Sequence, residues 1–125
     1  MATSPTRNAP TVLIRTEVYL HDDEEGRWVW QSAAPLLPDA REYVYSEEEL
    51  DRTINVYGRL VARIFQRSAR VQRFRVQVHG VACGISSNLL GVFEWKRSAE
   101  TDRLIPAQEP TLLWTENVKL LASCG

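Results

Sequence analysis

At 125 residues, 44% hydrophobic and 25% charged, the chain has the size and balance of one domain that buries its own core, which excludes a disordered chain and a disulfide-stapled mini-protein. Its two cysteines supply neither a disulfide framework nor a four-thiolate zinc site and point to a reducing compartment, while apolar runs as short as VLI and LLGVF are far too brief for a bilayer-crossing helix. The net charge of −1 conceals two blocks: residues 22–51 hold ten acids against Arg27 and Arg41, and residues 52–75 hold seven arginines and no acid, so a basic field exists only where those arginines share a surface.

In chain order, residues 1–10 read as a flexible tail, with a faint likeness in composition to a mitochondrial presequence. Residues 11–121 read as one domain and 122–125 as a second tail. An intracellular, cytoplasmic protein is the expectation. Val12, Ile14, Val18 and Leu20 alternate with Leu13, Arg15, Glu17 and Tyr19, the period of a strand with one buried face. HDDEEG breaks it, and RWVWQ follows as the second arm of a hairpin that carries Trp28 and Trp30 on one side. Pro35 and Pro38 exclude a sheet interior or helix core over the next stretch. Tyr43-Val44-Tyr45 reads either as a hydrophobic lead into a helix or as a brief edge strand.

The segment 46–70 has the clearest period. Leu50, Ile54, Tyr57, Val61, Ile64 and Phe65 fall in one apolar arc, and Arg52, Arg59, Arg63 and Arg67 lie across from it. Ser46 with Glu49 has capping-box spacing, and the acids of the first turn suit the helix dipole. Gly58 borders the apolar arc, so either the helix approaches a strand closely there or it breaks. Phe74, Val76 and Val78 alternate with Arg73, Arg75, Gln77 and His79 as a third strand. GVACGISSN turns the chain into a fourth strand, LLGVFEWKR, with Phe93 and Trp95 on one side. A polar loop, RSAETDRLIPAQEP, leads to a fifth strand through Leu112, Trp114, Val118 and Leu120, interrupted by Glu116.

The order strand, strand, helix, strand, strand, strand, with short links between the last three, predicts an α+β fold: a curved antiparallel sheet of about five strands with one long central helix packed on one face. A β-barrel with the helix as an insertion is the alternative.

Three groups bear on function. Arg59, Arg63 and Arg67 on the helix and Arg70, Arg73 and Arg75 after it form a guanidinium set suited to phosphate or carboxylate groups, and its plainest reading is the solvated side of an amphipathic helix. Trp28 and Trp30 on one strand face are more often core than an aromatic platform for a peptide. His79 and Cys83, four apart, have no third group to orient them as base and nucleophile, and His21 with the acids from Asp22 to Glu25 lacks the spaced pattern of a calcium loop. No phosphate-cradling loop, serine elbow or paired metal-binding histidines is present, so no catalytic residue, cofactor or metal is expected.

The run VYLHDDEEGRW resembles the opening of an EVH1 domain, in which a strand, an acidic turn and a tryptophan begin a peptide-binding barrel. In that family the principal helix is C-terminal, whereas here it is central, so no family is assigned and no binding residue is carried over. The sequence predicts a non-catalytic protein-interaction or assembly module, an adaptor or complex subunit that self-associates or binds another protein through Trp28 and Trp30, a sheet edge or the arginines. The alternative is an RNA- or DNA-binding domain using the arginine set.

Overall fold

The computed structural model describes residues 12–31, 41–82 and 86–122. Its elements are β1 (Val12–Asp22), β2 (Arg27–Gln31), β3 (Arg41–Val44), α1 (Glu47–Phe65), β4 (Arg73–Ala82), β5 (Ser86–Arg97), β6 (Leu104–Pro106), β7 (Thr111–Leu112) and α2 (Trp114–Ala122). The fold is α+β, a seven-stranded antiparallel sheet with α1 packed against it. The sheet is open, which removes the barrel alternative.

The strands occupy five tracks. β1, β4 and β5 form the centre, and each outer track is shared by two short strands. β2 pairs with the second half of β1, from Val18 opposite Gln31 to Asp22 opposite Arg27, and β3 pairs with the first half, from Val12 opposite Val44 to Arg15 opposite Arg41. On the far side β6 and β7 divide the outer edge of β5 in the same way. On the β5 edge Pro106 ends β6 and Pro110 directly precedes β7, while the residues between β2 and β3 lie outside the described ones. Short, broken edges cannot template pairing with another chain as a long flat edge does. This is also why seven strands stand where five were expected: Tyr43-Val44-Tyr45 belongs in part to an edge strand, and the polar loop after β5 contributes β6, with Leu104 buried.

One sheet face carries the core. Val12, Ile14 and Val18 of β1, Phe74, Val76 and Val78 of β4, and Phe93 and Trp95 of β5 pack against Leu50, Ile54, Val61 and Ala62 of α1. The Ser46 hydroxyl accepts from the Glu49 N–H at 3.1 Å, as the capping spacing predicts. Gly58 is buried and α1 continues through it, so close approach, not a break, is what the glycine serves. Phe65, Phe74, Phe93 and Trp95 form an aromatic cluster beneath the C-terminal half of α1, with Phe74 and Trp95 stacked at 5.7 Å.

Two expectations need correction. Ile64 is 44% exposed, because the buried side of α1 is centred on Ile54 and Gly58 and position 64 falls outside the sheet's cover. With Val56 and Leu60 it makes an exposed apolar ridge at a spacing of four. The expected fifth strand is instead the two-residue β7 followed by α2. Positions 114 and 118 are consistent with both a period of two and one helical turn. Glu116, which spoils the alternation of a strand, is favourable in the first turn of a helix. Asn117 fixes α2 on the sheet through its Nδ2–H, which donates to the Leu89 carbonyl at 2.5 Å.

Candidate functional site

The face away from α1 is built by alternation: except at the register shift beside Val78, where Leu90 and Gly91 are both buried, residues of β1, β4 and β5 next to a core position point there. Cross-strand register aligns Trp30, Tyr19, Arg75 and Glu94 in one row, Glu17, Gln77, Val92 and Thr111 in another, and Arg15, His79 and Leu89 in a third. Trp28 stands opposite His21, and Tyr43 opposite Leu13. Trp28 and Trp30 therefore lie on the uncovered face, not in the core. Trp30 is 54% exposed and Tyr43 63%. Their β1 partners are six residues apart, which places the two rings about 20 Å from one another along the strand.

Trp28 is held rather than free. The guanidinium carbon of Arg75 lies 4.1 Å from the ring centroid and that of Arg73 5.3 Å, while His21 meets the ring edge-on at 4.9 Å. Arg75 Nη2–H donates to Glu94 Oε1 at 2.8 Å, and Arg73 Nη2 stands 3.7 Å from Glu94 Oε2. Glu94 thus sets the position of both cations over Trp28. Further along, His79 Nε2 approaches Glu17 Oε1 at 3.0 Å, but off the line of a hydrogen bond, so that nitrogen has no hydrogen-bond partner among the described residues. Burial holds the imidazole below its ordinary pKa of 6.5, against the smaller upward pull of Glu17 and with the downward push of Arg15. The phenol of Tyr19, which donates to Glu17 Oε1 at 3.4 Å, is pushed above 10.0, first by burial and then by the Glu17 charge.

The six arginines singled out in the sequence do not share a surface. Arg73 and Arg75 are on the open sheet face with Trp28. Arg70 is exposed in the connection after α1. Arg59, Arg63 and Arg67 line a groove of about 300 Å³ on the other side of the molecule, with Arg103 as a fourth arginine and Ala62, Gln66, Trp95 and Leu104 as the remaining wall. Gln66 ties the two sides of that groove: its Nε2–H donates to the Asp102 carbonyl, and its Oε1 accepts from the Leu104 N–H, both at 2.8 Å.

Sequence reasoning missed Arg103, which comes from a loop without periodicity, and Arg97, whose side chain is 4% exposed. Arg97 donates to the carbonyls of Phe65, Ser68, Val71 and Asp102, so one guanidinium closes the end of α1, the 66–72 connection and the 98–103 turn. The acidic run after β1 turns on itself. Asp22 Oδ1 accepts from the N–H groups of Glu24 and Glu25, Gly26 takes φ 67°, and Asp23 and Glu25 pair with His21 and Arg27 at 2.6 Å. Glu47, Glu48, Asp51 and Glu109 line a second groove of about 480 Å³ at the start of α1. No three His, Cys, Asp or Glu side chains gather as metal ligands among the described residues, and Cys83 lies outside them. No helix among the described residues is long and apolar enough to cross a membrane. No protein-family model, curated protein or solved structure matches the chain.

Proposed function

We propose that this chain is a non-catalytic binding module that receives an acidic protein partner on the sheet face opposite α1. The observation that carries the reading is Trp30, a large ring left 54% exposed in the same row as Tyr19 and Arg75 on a face that no helix among the described residues covers. Aromatic rings that combine apolar area with a polar edge dominate protein interfaces, and Arg is their commonest companion. Charge sets the sign of the partner. Among the described residues of this face, Glu94 is shared by Arg73 and Arg75 and Glu17 accepts from the Tyr19 phenol, whereas Arg15 and Lys96 are exposed and pair with no carboxylate, so four cations stand against two acids. What remains to be matched is positive, and carboxylates near apolar side chains would match it.

Separation of the six arginines onto different surfaces favours this reading over a nucleic-acid stripe, which needs them in one line. The test compares the intact chain with Trp30→Ala and Tyr43→Ala in quantitative affinity enrichment, with Glu109→Gln as a folded control. A defined partner recovered in stoichiometric amount by wild type and control, and lost from the two aromatic variants, supports the reading. Recovery unchanged in the aromatic variants sinks it. Light scattering on the purified chain separates a foreign partner from a second copy: a dimer that Trp30→Ala dissociates assigns the face to self-association.

A further inference from the structure

We propose that the groove between α1 and the turn before β6 is a binding site for a compact, multiply charged anion of the phosphate or diphosphate class. Four arginines line it: Arg59 and Arg63 from successive turns of α1, Arg67 from the connection just after it, and Arg103 from a separate turn. Among the described residues none of the four is within ion-pair distance of a carboxylate. The nearest acid along the chain, Asp102, leans toward Arg97 at 3.8 Å instead. An amphipathic helix and its exit explain three arginines on one side. It does not explain the fourth, which a distant loop delivers to the same groove.

Arg103 is not there by slack. Asp102 takes φ 56°, a left-handed conformation that non-glycine residues seldom adopt, and the turn is closed by Asp102 N–H to the Ser98 carbonyl and Ser98 N–H to the Arg103 carbonyl, both 2.8 Å. Gln66 then pins the residues on either side of Arg103 to the last turn of α1. The backbone that carries the groove is thereby fixed, and the exposed arginine side chains are what a ligand orders. Guanidinium forks match phosphate oxygens two at a time, and several of them round one volume favour concentrated charge over a single carboxylate. At about 300 Å³ the space sits at the small end of ligand sites, which suits a diphosphate group better than an extended polymer.

The probe is inorganic pyrophosphate, added to the full chain in a thermal-shift titration and by calorimetry, against sodium chloride matched for ionic strength. Saturable binding is expected, weakened at least tenfold in Arg63→Gln and in Arg103→Gln, with the melting temperature of the ligand-free variants unchanged. Arg73→Gln, on the opposite face, should bind as wild type does. Equal binding by wild type and Arg103→Gln, or a response that chloride reproduces, overturns the site. So does a single-stranded RNA oligomer that binds more tightly than pyrophosphate and loses affinity equally with Arg70→Gln and Arg103→Gln, since that would mark a phosphate track in place of a compact pocket.

Discussion

The indole nitrogen of Trp95 lies so close beneath Gly58 that a Cβ at position 58 would stand 2.6 Å from it and 3.0 Å from the ring of Phe93. Helix propensity alone says alanine here is worth about 1 kcal/mol. Packing says the reverse, because the neighbours are buried rings in an aromatic stack, not the free end of a flexible chain, and over-filling such a site costs about 1 to 3 kcal/mol. Gly58→Ala is therefore expected to lower the urea midpoint despite improving the helix. A rise would mean that α1 stands further from β5 than these distances give.

Arg97 is the polar counterpart of that contact. Its four carbonyl acceptors come from the end of α1 and two connections, and a lysine, with its donors at one point, cannot reach them together. Arg97→Lys should cost about 2 kcal/mol and Arg97→Met more, because buried carbonyls are then left unpaired. Hydrogen exchange localises the effect: amides of residues 66–72 and 98–103 should lose protection while those of β1 and β4 keep theirs. Uniform loss across the sheet would refute a local clamp.

How legible these features were follows from their range along the chain. α1 was plain because its period, its Ser46 cap and its charge order are all local, and even the role of Gly58 could be framed from its place on the wheel. α2 was not, because Trp114 and Val118 satisfy two periods at once, and only packing of Asn117 on Leu89 decides between them. Arg97 and Arg103 gave no signal at all. A buried guanidinium and a loop-borne fourth wall are defined by partners tens of residues away. The face of the tryptophan pair was hidden for a different reason: alternation says that Trp28 and Trp30 share a face, but which face depends on pairing to Tyr19 and His21.

The two tryptophans should separate cleanly by experiment. Trp28 is wedged against Arg73, Arg75 and His21, so Trp28→Ala loses two cation–π contacts and buried area and is expected to cost about 2 kcal/mol. Trp30 is largely exposed, and Trp30→Ala should change stability by less than about 0.5 kcal/mol. Chemical denaturation of the two variants provides the comparison. Equal losses would make Trp30 part of the scaffold and remove it as a contact residue for a partner.

His79 gives the open face a pH dependence whose sign can be worked out. Burial lowers its pKa below 6.5 in the folded chain, outweighing Glu17, while Arg15 pushes the same way as burial. Between the folded value and 6.5 the unfolded chain therefore binds more protons, and stability rises with pH through that window. The contribution is complete above the unfolded value and is lost as the solution is acidified. Wild type should thus lose more stability than His79→Gln when urea midpoints are compared at pH 7.5 and pH 5. The Glu17 carboxylate, 3.0 Å away, is the competing influence: if wild type gains on the variant at pH 5, the pair with Glu17 dominates and the imidazole is charged in the fold.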